Sequence, residues 1–422
     1  MSLSLAIKEH ALHVGFDLVG IAPLVPARDL VFARQWVERG YGGEMRYLKN
    51  PRRDDPRRIL PTAKSVVCVG LVYNDPHAYS TEVVQAEGSR QKAEGSGKEH
   101  VPRGWISRYA WGEDYHDILR ARLERLRVVL ERLVPGVETR IFVDTGPIVE
   151  RAFARYSGIG WMGKNTCLVN EAKGSWFFLG VMLTSLELEP DLPAPDRCGS
   201  CTACLEACPT GALVEPYVMD ASRCISYFTI ELKGSIPEQF RPAIGGNIFG
   251  CDICQDVCPW NWTGRSQESG VRSQKSSGQL SVVRGQQRKV ATTMFPEFQP
   301  LRLDLPGYKS RSGEGTTSPA PNTQNREPDT RHLTPETLSL FNPPLEALTS
   351  FSEEDFRRLF ANSPIKRAKY RGWLRNLCVA MGNSGNPRFI PWLQKIRELA
   401  DPIVREHAEW ALTHLTASRG SS

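Results

Sequence analysis

The chain has 422 residues, of which 41% are hydrophobic and 24% charged, and its formal net charge is +6. That length predicts two to three domains with apolar cores of ordinary size. The N-terminus has no basic segment followed by a long apolar run, so we expect a cytoplasmic protein without membrane contact. The mild positive charge fits a polyanionic partner and an ordinary basic enzyme equally well.

The first 190 residues alternate between helical and strand patterns. Helices are predicted over residues 6–14, 28–39 and 117–133 and from 148 onward, and strands over 16–22, 65–72, 140–144 and 175–186. The alternation predicts an α/β domain over residues 1–190 of an α+β multidomain chain. Residues 75–104 interrupt it with a polar stretch that predicts a mobile loop.

Eight of the eleven cysteines lie between residues 198 and 258. The first part of this stretch has the spacing C-x2-C-x2-C-x3-C-P, and the second part reads C-x2-C-x3-C-P. The spacing is typical of ferredoxins with two [4Fe–4S] clusters, in which the cysteine before proline binds the neighbouring cluster. It predicts a ferredoxin-like module over residues 191–262 with two ligand sets, Cys198, Cys201, Cys204 and Cys258, and Cys208, Cys224, Cys251 and Cys254.

Structural zinc and disulfides are the alternative interpretations of these cysteines. Zinc sites rarely use three evenly spaced cysteines followed by Cys-Pro. Disulfides require an exporting context, and the sequence shows no sign of one. Cys224 is the least secure ligand, because the second part of the pattern carries only three cysteines.

The rest of the chain changes in composition twice. Residues 263–335 are rich in Ser, Gly, Gln, Arg, Thr and Pro and predict a low-complexity linker with a short ordered island at 295–300. Residues 336–418 predict an all-α domain of HEAT-like repeats, with helices over 364–381, 387–399 and 402–415. The first helix carries cations that form either a solvated or a phosphate-binding face: Lys366, Arg367, Lys369, Arg371 and Arg375.

Several motifs together resemble the epoxyqueuosine reductase family. They are Trp111-Gly-Glu-Asp-Tyr-His116, Phe142-Val-Asp-Thr-Gly146, Ser157-Gly-Ile-Gly-Trp-Met-Gly-Lys-Asn165, the Cys-Pro runs, Cys224-Ile-Ser-Tyr227 and Ser363-Pro-Ile-Lys-Arg367. The resemblance implies an enzyme that reduces the epoxide of epoxyqueuosine at the wobble position (34) of tRNA, the last step of queuosine synthesis. It also implies base-off cobalamin beside the two [4Fe–4S] clusters, with the Cys198 set nearer to cobalt.

The resemblance also implies roles for individual residues. Asp144 would be the catalytic acid, and a carboxyl at the end of a strand above an apolar sheet can have its pKa raised by burial and stay protonated. From the residues alone, Asp144 is better interpreted as the N-cap of the following helix. The residues implied as cobalamin contacts are Arg53, Ser107, Arg108, Lys164, Asn165, Ser226 and Tyr227.

The implied partners are tRNAs with a GUN anticodon (for Tyr, His, Asn and Asp) and an external one-electron donor such as a flavodoxin or ferredoxin. We expect a monomer whose C-terminal domain binds the tRNA, together with basic residues such as Lys233. Two alternatives stay open: a corrinoid reductive dehalogenase acting on small organohalides, and a ferredoxin-type electron carrier fused to a scaffold.

Overall fold

The computed structural model describes residues 2–24, 27–84, 101–263, 288–289, 292–304 and 337–417. Its helices are α1 (Leu3–His13), α2 (Ala27–Glu38), α3 (Tyr115–Leu133), α4 (Glu150–Tyr156), α5 (Ala203–Ala207), α6 (Arg241–Ile244), α7 (Ile253–Asp256), α8 (Leu345–Leu348), α9 (Glu353–Leu359), α10 (Lys369–Asn383), α11 (Ile390–Arg397) and α12 (Pro402–Ala417). Its strands are β1 (Leu18–Pro23), β2 (Ser65–Val72), β3 (Trp105–Ile106), β4 (Thr139–Phe142), β5 (Trp161–Met162), β6 (Leu168–Val169), β7 (Phe177–Thr184), β8 (Leu213–Glu215), β9 (Val218–Met219), β10 (Asn247–Phe249), β11 (Trp262–Thr263), β12 (Arg288–Lys289), β13 (Arg302–Asp304) and β14 (Thr337–Ser339).

A four-stranded sheet in the order β1-β2-β7-β4 forms the centre of the N-terminal part. Every neighbouring pair in it is antiparallel. The prediction of an α/β domain is therefore wrong in strand direction, since that class has a mostly parallel sheet. The alternation of helix and strand patterns is present, but each strand of the sheet pairs with antiparallel neighbours. Antiparallel strands do not need the crossover connection that joins parallel strands.

Both faces of the sheet are covered, which explains the continuous apolar run of β2. Val67, Val69 and Leu71 pack towards α1 and α3. The alternate residues Val66 and Cys68 pack towards α4 on the other face. Burying each aliphatic side chain of this size stabilises the fold by about 1.5–3 kcal/mol.

The C-terminal helices share a core with earlier parts of the chain. One continuous apolar cluster joins Trp105, Trp111 and Phe249 to Trp373 of α10 and Leu393 of α11. The helices over 387–399 and 402–415 are present as predicted, the first beginning with a 3-10 turn. The helix predicted over 364–381 is a 3-10 turn, Pro364–Ala368, followed by α10, and the break lies at Lys369, whose φ is +60°.

The two low-complexity segments lie largely outside the described residues. The predicted island at 295–300 is ordered: it contains a 3-10 turn, and Phe298 packs on Phe178 with ring centroids 5.2 Å apart. β13 pairs with β14 in antiparallel register, although the two strands lie on either side of the undescribed residues 305–336. Of the loop predicted over 75–104, residues 85–100 are not described, while Tyr79 is fully buried. Within the described ranges, no helix is both long and apolar enough to cross a membrane.

Candidate active site and iron–sulfur module

Asp144 lies in the turn that follows β4, with its side chain about half exposed. Its φ is +56°, a left-handed conformation that Asp tolerates better than most residues. The helix that follows begins at Glu150, and its N-cap is Val149. The N-cap interpretation of Asp144 is therefore wrong, because Asp144 lies five positions before the N-cap residue Val149.

An ion-pair chain runs from Asp144 through His116 to the C-terminal part. His116 Nε2 lies 3.4 Å from Asp144 Oδ2. His116 Nδ1 lies 2.6 Å from Asp114 Oδ1, and Asp114 Oδ2 lies 2.7 Å from Lys366 Nζ. The imidazole is thus held between two carboxylates.

A second series of ion pairs also links Asp144 to the C-terminal part of the protein. Arg367 donates to Asp144 Oδ2 at 3.2 Å and to Glu231 Oε1 at 2.6 Å. Arg367 follows Lys366 in the 3-10 turn before α10, so one short segment supplies both basic ends.

These contacts decide the charge of each group. Burial raises the pKa of Asp144, but the His116 hydrogen bond and the Arg367 charge outweigh it and lower that pKa to about 2. Burial opposes protonation of His116, yet Asp114 and Asp144 raise its pKa to about 9. The expectation that Asp144 is protonated at neutral pH is therefore wrong: the carboxylate is charged, and His116 carries the proton.

Asp144 also lines a cavity of about 1210 Å³. One wall combines apolar side chains, among them Trp36 of α2, Met45 and Leu48, with charged ones such as Arg34 and Lys49. The other wall is built by α4 and β5. The cavity is larger than the pockets of about 300–1,000 Å³ that hold drug-sized ligands.

Three residues of the cavity wall, Glu150, Trp161 and Thr166, each carry a buried polar atom that lacks a partner among the described residues. Two of these atoms are oxygens, Glu150 Oε1 and Thr166 Oγ1. Burial raises the pKa of Glu150 to about 8. Buried polar atoms are normally hydrogen-bonded, so these two oxygens are suited to a polar ligand edge.

The eight cysteines of the 198–258 stretch form two neighbourhoods. In the first, the thiols of Cys198, Cys201, Cys204 and Cys258 act on one another electrostatically. In the second, the neighbours are Cys208, Cys224, Cys251 and Cys254. Cys167, which belongs to neither predicted set, interacts with Cys254 and Cys258 as well. Apart from Cys167, the two neighbourhoods contain the cysteines of the two predicted ligand sets, and the ligand role itself stays a prediction.

Lys164 and Asn165, predicted as cobalamin contacts, instead hold the cysteine loops. Lys164 Nζ donates to the carbonyls of Gly199 and Cys201, at 2.6 and 3.0 Å. Asn165 Nδ2 donates to the carbonyl of Cys254 at 3.1 Å. Neither residue lines the cavity.

Ser107 and Arg108, which were also predicted to contact cobalamin, lie away from the cavity. Both are buried, and the Ser107 hydroxyl donates to Asp252. The Arg108 guanidinium donates to the carbonyls of Asp75 and His77. They stabilise the packing of this loop and do not reach the cavity.

The other predicted contacts lie nearer to the site. Arg53 lines the cavity and donates to the carbonyl of Gly146, which fixes the turn after Asp144. The Tyr227 hydroxyl accepts from the Glu44 N–H at 2.9 Å. Ser226 hydrogen-bonds the Cys224 thiol. Of the seven predicted cobalamin contacts, the structure places Arg53 alone in the cavity wall.

The basic helix is largely used inside the protein. Arg375 is 1% exposed and donates to the carbonyls of Leu232 and Gly234. A phosphate-binding role is therefore wrong for Arg375, and Lys366 and Arg367 are engaged in the ion-pair chains above. Lys369 and Arg371 remain exposed beside Lys233.

The sequence analysis missed three members of the site. His116 and Asp114 appear there only within a family motif, without a role of their own, and Glu231 does not appear. The spacing Asp-x-His at 114–116 is a usable signal, because an imidazole beside a carboxylate is held protonated. Glu231 has no such local signal, since its partner Arg367 is 136 residues away.

Two family models match parts of this chain. A model for a 4Fe-4S double cluster binding domain matches residues 197–261. Together with the cysteine neighbourhoods and the adjoining cavity, it defines the chain as a two-cluster iron–sulfur oxidoreductase. A second model, described as epoxyqueuosine reductase QueG, matches residues 53–145.

Curated relatives narrow this class to one family. The epoxyqueuosine reductase of Pseudomonas aeruginosa is 36% identical over 417 residues, which cover 97% of this chain and 94% of that protein. That of Escherichia coli is 33% identical over 421 residues, covering 99% and 91%. The chain belongs to the epoxyqueuosine reductase family, and the predicted resemblance is confirmed.

Solved structures agree in fold. An epoxyqueuosine reductase with an epoxyqueuosine-modified tRNA-Tyr stem loop has a TM-score of 0.71 and 28% identity, covering 100% of this chain and 94% of that one. The Bacillus subtilis enzyme with its catalytic loop swung out of the active site has a TM-score of 0.70 and 26% identity, with the same coverage.

Proposed function

We propose that this chain reduces the epoxide of epoxyqueuosine at position 34 of tRNA to the alkene of queuosine. The observation that carries the proposal is the position of Asp144, where the large cavity meets the ion-pair chains from the C-terminal part. The reaction takes two electrons and two protons, and the epoxide oxygen leaves as water. A ferredoxin-type carrier would leave both the cavity and the charged chains without a role.

The cavity fits base-off cobalamin. The apolar side chains of its wall suit the corrin ring, and Glu150 and Thr166 offer unpaired polar atoms to the amides at the corrin edge. Arg53 holds the Asp144 turn against this space. Cobalamin supplies low-valent cobalt as the immediate reductant.

The chain's own residues supply the proton. The oxygen of the opening epoxide becomes a strong base and takes a proton through Asp144. His116 passes its own proton to the carboxylate as this happens, which leaves His116 neutral until solvent reprotonates it. The reprotonated pair then supplies the second proton, with which the oxygen leaves as water. Asp144 is therefore the terminal donor and His116 the proton store.

Electrons come from two [4Fe–4S] clusters held by the two cysteine neighbourhoods. Lys164 and Asn165 fix one loop of each neighbourhood through backbone carbonyls. The family resemblance puts the Cys198 set nearer to cobalt, and Asp196, two residues before Cys198, lines the cavity. An external one-electron donor such as a flavodoxin or ferredoxin reloads the clusters.

The residues that would contact the tRNA are basic and lie close together on the surface. Lys233, Lys369 and Arg371 surround a small notch on the surface. Burial lowers the pKa of Lys233, and the charges of Arg375, Arg367 and Lys369 act in the same direction, which marks a concentration of positive charge. Such a surface attracts the phosphates of a GUN-anticodon stem loop, and the wobble base must leave its stack to reach the cavity.

Mass analysis of nucleosides tests the activity. The protein is reconstituted with iron, sulfide and cobalamin, reduced, and incubated with tRNA that contains epoxyqueuosine. We expect epoxyqueuosine to fall as queuosine rises, and protein without cobalamin to give no conversion. If the fully loaded protein leaves epoxyqueuosine unchanged while binding the stem loop, the proposal is wrong.

A further inference from the structure

Glu231 is the last residue of a short π-helical segment, Tyr227–Glu231. Segments of this kind are rare and often lie at functional sites. The backbone around Glu231 is held by α10: Asn376 donates to a carbonyl of the segment, and Arg375 donates to the carbonyl of the residue that follows it, both at 2.8 Å. The Glu231 carboxylate therefore extends from a well-supported backbone.

Arg367 joins Glu231 to Asp144. Its Nη2 lies 2.6 Å from Glu231 Oε1, whereas its Nη1 lies 3.2 Å from Asp144 Oδ2. Burial opposes the positive charge of Arg367, but Glu231 and, to a smaller extent, Asp144 raise its pKa above the ordinary value. Glu231 is therefore the stronger of the two partners that share this guanidinium.

Lys233 ties the same two chain segments together through their backbones. Its Nζ donates to the carbonyl of Ile230 at 2.9 Å and to the carbonyl of Arg367 at 3.1 Å. These two bonds do not involve the carboxylate of Glu231. Loss of the charge on Glu231 should therefore leave Arg367 within reach of Asp144.

His116 and Arg367 approach the same oxygen of Asp144. His116 Nε2 lies 3.4 Å from Oδ2, and Arg367 Nη1 lies 3.2 Å from it. A guanidinium that binds this oxygen more strongly stabilises the carboxylate against protonation and also repels a protonated imidazole. The negative charge of Glu231 opposes both effects.

We propose that Glu231 is a positioning residue for proton transfer: it shares the guanidinium of Arg367 and so limits how strongly Arg367 binds Asp144, which allows His116 to pass its proton to Asp144. The proton leaves His116 Nε2 and binds Asp144 Oδ2, so imidazolium and carboxylate become imidazole and carboxylic acid with no change in net charge. The role in proton transfer rests on the proposed function, whereas the effect of Glu231 on the titration of His116 does not.

Other titratable groups face this site from several elements. The charged ones are Asp114, Glu150, Arg53, Lys366 and Lys233, and the phenols are Tyr47, Tyr109, Tyr115 and Tyr227. Burial raises the pKa of all four phenols above the ordinary value, so none of them titrates near pH 9. Burial raises the pKa of Glu150 to about 8. Because all of these groups are retained when Glu231 is replaced, a comparison of variants isolates Glu231.

Nuclear magnetic resonance of ¹⁵N-labelled histidine measures the effect. The sample is the full chain with both clusters, without cobalamin or RNA, and His116→Gln identifies the His116 signal. Glu231→Gln keeps an acceptor for Arg367 and removes the charge. We expect the midpoint of the His116 titration to fall by about 0.5 pH unit, roughly a threefold loss of proton affinity. An unchanged midpoint would overturn the proposal, and so would a rise, which would show that Glu231 only keeps Arg367 at Asp144.

Glu346→Gln is the matched control. Glu346 is an exposed residue of α8 and forms an ion pair with Arg388 at 3.0 Å, so this variant removes the same charge from another Glu–Arg pair. The His116 midpoint should be unchanged. A shift equal to that in Glu231→Gln would overturn the proposal, because it would reflect net charge and not the shared guanidinium.

A second comparison covers the case in which Glu231→Gln alone does not fold. Arg367→Met should raise the His116 midpoint, because it removes a nearby positive charge. Adding Glu231→Gln removes the ion pair as a neutral unit and should return the midpoint towards that of the unaltered chain. Equal midpoints in Arg367→Met and in the double variant would refute an effect of Glu231.

Turnover then tests the role in proton transfer. With the loaded protein and tRNA that contains epoxyqueuosine, the alkaline limb of the single-turnover rate should move to lower pH in Glu231→Gln by the same amount as the His116 midpoint. If the unaltered chain turns over and this limb does not move, the role in proton transfer is refuted. If the unaltered loaded chain does not turn over, the proposed function and this role are both rejected, while the midpoint shift remains a property of the folded chain.

Discussion

The guanidinium of Arg367 lies 3.2 Å from the Asp144 carboxylate, although 223 residues separate them in the chain. The same guanidinium binds Glu231 at 2.6 Å, and Lys366 beside it binds Asp114. The segment before α10 therefore contacts both carboxylates that flank His116. A shift of the C-terminal helices on binding RNA would act directly on the charge at Asp144.

Replacing Asp144 should remove the terminal proton donor. Asp144→Asn keeps the shape and loses the titratable group, so we expect turnover to fall by about 10²–10⁴-fold. Nucleoside mass analysis under single-turnover conditions measures the loss. Asp117→Asn, at an exposed position one residue after His116, is the control and should turn over normally. Full turnover in Asp144→Asn would exclude the acid role.

Substitutions of Arg367 and Asp144 should not affect turnover independently. Arg367→Met alone removes the charge that helps to lower the pKa of Asp144 and should slow turnover. Once Asp144 is Asn, the same change has little left to act on, so the double variant should be about as slow as Asp144→Asn. Strictly multiplicative losses would show that the two residues act separately.

The rate should fall at alkaline pH as His116 loses its proton. The pKa of His116 is raised from its ordinary value to about 9, so in the folded enzyme His116 stays protonated at neutral pH and loses its proton as pH rises through about 9. Single-turnover rates across this range should show one descending limb near pH 9. His116→Gln should be slow at every pH and lack that limb. A limb that survives in His116→Gln would belong to another group.

Local patterns predicted much of this molecule. The strand over 65–72 has the predicted bounds because every residue of it is buried and its apolar side chains pack alternately into two cores. The cysteine spacing predicted two sets because each has closely spaced members, Cys198 to Cys204 in one and Cys251 with Cys254 in the other, and because Cys208 and Cys258 each precede a proline. Such features need only neighbours in sequence.

The charge of Asp144 could not be predicted in the same way. Its ionisation depends on His116 and on Arg367, both of which are distant from Asp144 in the sequence. Arg108 was predicted to contact cobalamin and Arg375 to contact phosphate. Both side chains are instead buried and donate hydrogen bonds to backbone carbonyls of distant loops. Polar residue type alone does not distinguish a ligand contact from a buried structural donor.

Removal of the exposed cations near the notch should weaken RNA binding in a salt-dependent way. Lys369→Gln and Arg371→Gln should each reduce affinity for the anticodon stem loop and lower the slope of log affinity against log salt by about 0.7–0.9 for each phosphate that no longer has a cation beside it. Fluorescence anisotropy at several salt concentrations measures the slope. Lys395→Gln, exposed on α11, is the control. An unchanged slope in both variants would place the RNA elsewhere.

His407 should make the stability of the C-terminal helices depend on pH. It is fully buried; its Nε2 accepts from the Ile236 N–H at 3.1 Å, and its Nδ1 donates to the Ile403 carbonyl at 2.7 Å. Burial lowers the pKa of His407 to about 4, so the unfolded chain binds the proton more readily. Its contribution to the free energy of unfolding is complete above the ordinary histidine pKa and is lost as pH falls towards 4.

Two substitutions separate titration at His407 from hydrogen bonding. His407→Gln can keep both bonds without titrating, so the urea midpoint should lose part of its dependence on pH between about 4 and 7. His407→Leu leaves the Ile236 N–H unpaired and should lower the free energy of unfolding by about 1–3 kcal/mol at pH 7. Circular dichroism follows both, with the unaltered chain as reference. Equal pH slopes in the Gln variant and the unaltered chain would assign the acid sensitivity to another group.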